Sequence, residues 1–401
     1  MGWRRGGVVV LSRRLLLASA ATLAAPAVAR AQLLPPFRLP ILLPLTGFAA
    51  LEGKSQREGA LLAIRDVASL ANLVPVRFVP EVLDTGTAPE AAVTAWQRAL
   101  RDGARDGARA PVAVLGPILG TQMLALLPEA ATAKLPLLAV SGTARLSELG
   151  NPWFFRFFPA DGVVKIAHAR YVAEVIKAKK PAVIFQTTAY GQSGREVLAK
   201  AFAEAGITVV LEEGVATSIN DFTPIIAKAK SAGADALVLH LHSQSTALAI
   251  RAARSVAPDL PIVAGSAMAQ PATAELFQPA ELKGVCSETA SMPTASMDDA
   301  RMKAFVEEYR AVYKADPDAF AVAQYDAVST LAAAVAEIAK ADGADKVSGE
   351  AVRAKLSTIR YRGLATEYGS DGKGNMNRAA IIVCYDGTSR VPPIAQRYTV
   401  P

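Results

Sequence analysis

The sequence predicts an α/β protein with two doubly wound lobes, each built on a parallel β-sheet. Short apolar runs alternate with segments of helical spacing, and this alternation occurs in two series, before and after residue 160. Several apolar runs are continuous, which is typical of strands buried on both faces of a parallel sheet. At 401 residues the chain is long enough for two domains with full cores.

The first series contains four expected strands and two expected helices. Residues 58–70 show the clearest helical spacing, because Leu61, Ile64 and Ala68 fall on one face while Arg65 and Asp66 fall on another. A second helix is expected at 89–100. The strands are expected at 39–43, 76–79, 111–116 and 135–140.

The second series repeats this order. Asp221 can cap a helix whose first turn contains Pro224. The other helices are expected at 163–177, 194–205, 302–314, 320–340 and 349–357, and the strands at 181–185, 207–211, 236–241, 261–264 and 379–385. No low-complexity linker separates the two series, so we expect the chain to pass between the lobes more than once.

Residues 1–31 have the pattern of an export leader. Four arginines precede an apolar run at 15–29, which is shorter than the roughly 20 residues of a spanning helix. Small residues at Ala29 and Ala31 predict cleavage near Gln32. Arg13 and Arg14 give the leader the look of a twin-arginine signal, and an ordinary Sec leader remains the alternative. We therefore expect an exported, soluble, periplasmic protein.

Composition excludes several classes of protein. The formal net charge is +7, but without the five arginines of residues 1–31 the chain has 38 basic and 36 acidic residues. A nucleic-acid binder would keep a basic face, so no nucleic-acid partner is expected. A hydrophobic content of 52% excludes a disordered chain. Two cysteines exclude a multi-cysteine metal site.

Motifs for catalysis or metal binding are missing from the sequence. It has no dinucleotide-binding glycine motif, no phosphate-binding loop and no nucleophile elbow. His240 and His242 share a strand face but lack a third ligand. Residues 371–375 have a faint likeness to a calcium loop without its remaining ligands, and we expect a turn there. No catalytic residue, cofactor or metal is expected.

Four loops that follow predicted strands are the candidates for binding. In open α/β sheets, ligands lie at the carboxyl ends of strands. The loop at 116–122 leads into an expected helix, whose N-terminus attracts a carboxylate. The four loops are 116–122, 141–143, 187–191 and 242–244. Loops from two lobes that face one cleft would form a clamp around a small molecule.

From about residue 38 to the end, the chain resembles a type I periplasmic binding protein of the branched-chain amino acid (leucine, isoleucine and valine) transport group. The matching landmarks are residues 45–47, 115–117, 141–143, 150–156, 190–191, 221–222, 316–317 and 323–327. The resemblance implies two lobes joined by a three-strand hinge, a solute cleft and an ABC permease partner in the inner membrane. It implies lobe 1 at 36–158 and 291–362, lobe 2 at 159–290 and 363–401, and a monomer.

The resemblance also implies roles for residues of the first lobe. The carboxylate of an amino-acid ligand would bind at the loop of Gly120 and Thr121 and at Thr143. The backbone around Ser141 and Gly142 would contact the amino group.

Three further positions follow from the same resemblance. Tyr190 would close over the ligand from the second lobe, with packing inside its own loop as the alternative. His242 stands where the family often has a tyrosine, and the alternative is an internally bonded histidine at a strand end. Phe320 would form part of an apolar wall.

Two departures from the family pattern concern the ligand's ammonium group. Ala267 stands where amino-acid binders have an acid, and Glu52 stands where a tyrosine is common. An ammonium without its anion in a closed cleft costs several kcal/mol. Either Glu52 replaces the lost charge, or the solute has no α-amino group. We favour a carboxylate or amide solute.

The state of Cys286 and Cys384 is left open. Both fall on expected strands of the second lobe. Export places them in an oxidising compartment, where a disulfide persists. Folding before export would instead favour reduced, buried thiols.

Solute capture by lobe closure, as part of an ABC importer, is the function that these features predict. A periplasmic sensor that uses the same clamp is the alternative. An exported α/β enzyme would need an activated nucleophile or a cofactor loop, and the sequence has neither.

Overall fold

Fourteen β-strands and twelve α-helices, together with short 3₁₀ and π segments, make up the regular structure of the described residues, which are 34–69, 76–101 and 103–399 in this computed structural model. The expected leader at 1–31 lies outside these residues. The strands are β1 (Phe37–Leu43), β2 (Phe78–Asp84), β3 (Val114–Leu115), β4 (Leu137–Ala139), β5 (Phe154–Arg156), β6 (Pro181–Gln186), β7 (Leu211–Val215), β8 (Ala236–His240), β9 (Ile262–Ala264), β10 (Val285–Thr289), β11 (Arg360–Arg362), β12 (Glu367–Gly369), β13 (Ala379–Cys384) and β14 (Ile394–Thr399). The α-helices are α1 (Ala50–Ser69), α2 (Pro89–Leu100), α3 (Gly120–Ala133), α4 (Arg145–Glu148), α5 (Asp161–Tyr171), α6 (Ala189–Glu204), α7 (Thr223–Ser231), α8 (Ser243–Val256), α9 (Pro271–Ala274), α10 (Ala300–Tyr313), α11 (Ala319–Asp342) and α12 (Gly349–Leu356).

The first lobe is built on a parallel sheet with strand order β2-β1-β3-β4-β5. Alternate residues of β1 enter two different cores. Ile41 packs with residues of α1 and α11, whereas Leu42 packs with residues of α2 and α3. Helices therefore cover both faces of the sheet, which explains why its strands are apolar without alternation.

The second lobe is built on a sheet with strand order β14-β13-β10-β9-β8-β6-β7. The five strands β6 to β10 are parallel to one another. Strands β13 and β14 extend the sheet beyond β10 and are antiparallel. Ile184 and Val183 of β6 enter separate cores on the two faces. The expected fold class, two doubly wound α/β lobes, is confirmed.

The chain crosses between the lobes after β5, after β10 and before β13. We propose that the third crossing follows Met376 and not residue 362, because Tyr368 and Met376 pack in the same core as Phe157 of the first lobe. Gly374, with φ +88°, passes so close to β5 that an added Cβ would collide with the carbonyl of Phe154. Only glycine suits both the backbone angle and the close approach.

Helix α11 is the central helix of the first lobe. Among the described residues it alone has the length and composition of a membrane span, yet 78% of its apolar window is buried inside the protein. The Asp318 carboxylate caps it by accepting hydrogen bonds from the N–H groups of Phe320 (2.9 Å) and Ala321 (2.8 Å). Helix α11 packs closely against α1, as expected for a helix in the core of a lobe.

Helix α1 begins earlier than the sequence predicts, at Ala50 and not at residue 58. Its first turns contain Gly53 and polar residues, which hide the apolar period. Added Cβ atoms at Gly53 and Gly59 would collide with the backbone of Pro44 and Ala321. The glycines therefore permit close packing, although they weaken the sequence signal for a helix.

Other elements also differ from expectation. The strand expected at 207–211 lies at Leu211–Val215, because the ladder with β6 begins where Leu211 pairs with Ala182. The hairpin β11–β12 and the edge strand β14 were not expected. Edge and hairpin strands of this kind are short and half exposed, so they carry little apolar signal.

A disulfide joins Cys286 of β10 to Cys384 of β13. The two residues are direct partners in the antiparallel ladder, a register that the sequence does not reveal. The alternative of two reduced thiols therefore does not hold in this structure.

We expect no free thiol in the exported protein. In denaturant, iodoacetamide should modify both cysteines only after reduction, as measured by intact mass. Because the disulfide closes a loop of 98 residues, reduction should lower the free energy of unfolding by about 2–5 kcal/mol. Two modified thiols without reductant would contradict the assignment.

Candidate functional site

A small cavity lies between the two lobes. It is lined by Glu52, Ile118, Val140, Gly142, Phe158, Asp161, Val164, Tyr190, Leu241, His242, Ser266, Ala267 and Phe320. The centre of a water-sized molecule can move within about 30 Å³, more than the roughly 10–15 Å³ that one enclosed water needs. A wider groove of about 740 Å³ along residues 393–397 is open to solvent and contains none of the strand-end loops.

The position of the cavity follows from the two parallel sheets. Loops after β3, β4 and β5 contribute Ile118, Gly142 and Phe158, and loops after β6 and β8 contribute Tyr190 and His242. Carboxyl ends of parallel strands meet at one edge of a sheet, and here two such edges face each other. The wall is mainly apolar, as in most small-molecule sites.

Six of the ten residues that the sequence singles out line this cavity. They are Glu52, Gly142, Tyr190, His242, Ala267 and Phe320. The other four, Gly120, Thr121, Ser141 and Thr143, are not among its lining residues, although Ser141 and Thr143 flank Gly142 in the chain.

Gly120 begins α3 and lies directly against Thr143, since an added Cβ would collide with the Thr143 hydroxyl. The hydroxyls of Ser141 and Thr143 are buried and have no hydrogen-bond partner among the described residues. Unpaired buried hydroxyls are costly, which makes both residues candidates for contact with a solute.

Tyr190 reaches the cavity from the start of α6. Its ring centroid lies 3.9 Å from that of His240 and 5.3 Å from that of His242. Across the cleft it faces Gly142, where an added Cβ would lie 3.8 Å from the Tyr190 ring. Burial raises the pKa of Tyr190 well above its usual range, so the ring is a neutral cover for the cavity.

The two strand-end histidines have different surroundings. His240 Nε2–H donates to the Tyr190 carbonyl (2.9 Å) within the second lobe, and this bond holds the start of α6 that carries Tyr190. His242 lines the cavity, with Nε2 3.4 Å from the Thr188 hydroxyl and its ring 5.0 Å from that of Phe48. Burial lowers the pKa of both, to about 4 for His242. Groups of three or more metal-ligating side chains are absent from the described residues.

Glu52 connects the lobes. Its Oε1 accepts hydrogen bonds from the Ser243 hydroxyl (2.6 Å) and the Ser243 N–H (3.3 Å), at the N-terminus of α8. Its Oε2 has no partner among the described residues, although the side chain is only 3% exposed. Burial raises the pKa of Glu52, and the hydrogen bonds to Ser243 oppose this change.

Asp161 is a cavity residue that sequence reasoning missed. It opens α5, it is 1% exposed, and its Oδ2 lacks a partner among the described residues. Burial raises its pKa to about 6, while Lys165 and the Ser193 hydroxyl lower it. An acid in the first turn of a helix is common for capping reasons alone, so the sequence carries no separate signal.

A compensated ionic cluster lies behind the wall of the second lobe. Lys165, His168 and Glu288 are fully buried, and Glu288 bonds to the Lys165 ammonium, to His168 Nδ1 (2.6 Å) and to the N–H of Ser266 (3.1 Å). Burial alone would raise the pKa of Glu288, but Lys165 and His168 lower it to about 2. The Lys165 charge is thus matched by Glu288 within the protein.

Several polar contacts bridge the lobes, among them the Asp161 N–H, which donates to the Gly142 carbonyl of the first lobe (2.6 Å). Besides Glu52 and Ser243, the Gln270 amide donates to the Asp318 carboxylate (2.7 Å). The Ala144 N–H donates to the Ser193 hydroxyl (2.8 Å). The two lobes are therefore in contact across the cleft in this structure.

Comparison with known proteins agrees with this architecture. The sequence model of the periplasmic binding protein family matches residues 36–388. A leucine-, isoleucine-, valine-, threonine- and alanine-binding protein of Pseudomonas aeruginosa is 24% identical over 336 residues, which are 83% of this chain and 85% of that protein.

Two solved structures are similar in fold. A leucine-binding protein from Thermotoga maritima has a TM-score of 0.78 at 21% identity, over 90% of this chain and 99% of that chain. A solute-binding protein of an ABC transporter from R. palustris, in complex with benzoate, has a TM-score of 0.80 at 17% identity, over 91% of this chain and 96% of that chain. Since the family match spans most of the sequence, the chain belongs to the periplasmic binding protein family.

Proposed function

We propose that this protein is the periplasmic solute-binding component of an ABC importer. It captures a small solute between its lobes and presents the closed form to a permease. The observation that carries the proposal is a small cavity with walls from both lobes and with free carboxylate oxygens from Glu52 and Asp161. A single chain supplies the whole cavity, which supports a monomer.

The cavity wall favours a solute with an apolar body. Phe158, Phe320 and Leu241 are buried around it and offer no charge. One relative is named as a binder of leucine, isoleucine, valine, threonine and alanine, and one similar structure was solved in complex with benzoate. Leucine and benzoate both combine an apolar body with one polar end.

The two carboxylates favour a polar end with N–H donors. Glu52 and Asp161 each have one buried oxygen without a partner, and such an oxygen costs free energy until a donor reaches it. An ammonium or amide N–H group would supply that donor. The expectation of a solute without an α-amino group rested on Ala267, and Asp161 now offers the acid that Ala267 lacks. We therefore propose an amino-acid-like or amide solute.

Closure follows from contacts on both sides of the solute. A solute that touches Gly142 of the first lobe and Tyr190 of the second binds the closed form better than the open form. Its differential affinity shifts the population toward closure. The contact between Glu52 and Ser243 forms only when the lobes meet, so it adds to the stability of the closed form.

Calorimetric titration with L-leucine, benzamide and benzoate tests the proposed polar end. We expect L-leucine or benzamide to bind more tightly than benzoate. Asp161→Asn should weaken L-leucine binding by about tenfold or more, since a charged hydrogen bond is worth roughly 1.5–3 kcal/mol. Asp259→Asn, at an exposed position of the same lobe, is the matched control. Benzoate binding that exceeds the other two and is unchanged in Asp161→Asn would refute the donor but leave solute capture intact.

The affinity for L-leucine should rise between pH 5 and pH 7. Asp161 must be ionised to hold an ammonium, and burial raises its pKa to about 6, so binding of an ammonium below that pH releases a proton. Glu52, whose pKa is also raised, acts in the same direction. Burial lowers the pKa of His240 well below its usual range and that of His242 to about 4, so these two side chains stay neutral over this interval.

The same titration in Asp161→Asn should show a smaller rise. The other charged groups that influence Asp161 are Lys165, Arg156 and Glu288. An affinity that falls as pH rises would indicate that protonated acids donate to the solute, and it would contradict the proposed ammonium.

A further inference from the structure

Arg156, at the end of β5, is fully buried. It makes hydrogen bonds to the loop of residues 141–144 (the cleft loop). Its Nη1 donates to three successive carbonyl oxygens, those of Ser141 (3.2 Å), Gly142 (3.1 Å) and Thr143 (2.7 Å). From the sequence, Arg156 is only part of the family landmark at residues 150–156, and no role is predicted for it.

The rest of the guanidinium is held by neutral side chains. Nε and Nη2 donate to the Asn375 oxygen (2.9 and 2.6 Å), and Nη2 donates to the Ser147 hydroxyl (2.7 Å). Burial lowers the pKa of Arg156 to about 10, against the opposing charges of Asp161, Asp371 and Glu148. The group thus remains a cation at neutral pH.

These bonds fix which way the peptide N–H groups of the cleft loop point, together with the Asp161 N–H, which donates to the Gly142 carbonyl (2.6 Å), and the Leu146 N–H, which donates to the Thr143 carbonyl (3.3 Å). In a trans peptide the N–H lies opposite the C=O, and cis peptide bonds are absent from the described residues. With three carbonyls turned toward Arg156, the N–H groups of Gly142, Thr143 and Ala144 turn away from it. Gly142 lines the cavity, and the Ala144 N–H reaches Ser193 of the second lobe.

The segment before the third crossing holds Arg156 in place. The Arg156 N–H donates to the Gly374 carbonyl (2.7 Å), and the Met376 N–H donates to the Arg156 carbonyl (2.9 Å). Asp371 accepts from the Asn375 side chain (2.6 Å) and from its N–H (3.0 Å), which orients Asn375 toward the guanidinium. The expected turn at 371–375 therefore serves as the support of Arg156.

We propose that Arg156 is a positioning residue for solute binding, and that Asn375 is its support. The guanidinium keeps the N–H groups of the cleft loop aimed at the solute and at the second lobe, and its buried charge polarises the peptides that it contacts. Arginine suits this task because its rigid fork offers five donors, whereas lysine offers a point charge. The inference rests on the proposed function of the cavity.

Hydrogen exchange in the unliganded protein provides the first test. Asn375→Ala removes the acceptor of two guanidinium bonds without altering the cavity wall, and Lys373→Ala, an exposed side chain of the same segment, is the matched control. We expect the amides of residues 142–147 to exchange about tenfold faster or more in Asn375→Ala, with the sheet of the first lobe unchanged. Unchanged exchange in the cleft loop would overturn the proposal. Faster exchange throughout the first lobe would also overturn it, because it would indicate a merely structural role.

Titration with L-leucine provides the second test. Asn375→Ala and Arg156→Lys should each weaken L-leucine binding about tenfold or more, while Lys373→Ala binds as the wild type does. Wild-type affinity in Asn375→Ala, together with a mobile cleft loop, would refute positioning. If the wild-type protein binds neither L-leucine nor benzamide, the proposed solute class is wrong, and the exchange experiment alone decides the role of Arg156.

Discussion

A buried cation that touches no anion places strong demands on its surroundings. Removing a guanidinium from water costs several kcal/mol, and hydrogen bonds from every side must offset that cost. Arg156 obtains them from the loop after β4, from Ser147 of α4 and from Asn375 before the third crossing. The stretch of residues 141–156 and the segment around Asn375, which lies 219 residues after Arg156, are therefore held in one arrangement beside the cleft. The cavity, the bridge from Ala144 to Ser193 and the close approach of Gly374 to β5 all depend on that arrangement.

The buried carboxylates near the cleft differ in how completely the protein satisfies them. Glu288 has donors from Lys165, His168 and Ser266, and its pKa falls to about 2. Asp161 retains a free oxygen, and its pKa rises to about 6. A fully satisfied acid stabilises the fold, whereas an incompletely satisfied acid on a cavity wall is available to a solute. This contrast separates a structural cluster from a binding group within the same lobe.

Sequence reasoning reached part of the candidate site. Tyr190, His242 and Gly142 could be placed because they follow strands whose carboxyl ends must share an edge. Asp161 was missed because an acid in the first turn of a helix has an ordinary explanation. The cluster of Lys165 and Glu288 was missed because 123 residues separate them. No local pattern indicates which distant carboxylate will neutralise a buried lysine.

The sequence by itself determined the architecture: the alternation of strand and helix, the two series and the continuous apolar strands. It could do so because burial on both faces of a sheet is recorded in the residue pattern of each strand. Only the tertiary structure decided the disulfide between Cys286 and Cys384, the free oxygens of Glu52 and Asp161, and the hydrogen bonds of Arg156 to Asn375. Each of these depends on the register and distance between segments that are remote in the chain, and hydrogen bonds and disulfides form or fail over differences of about an ångström.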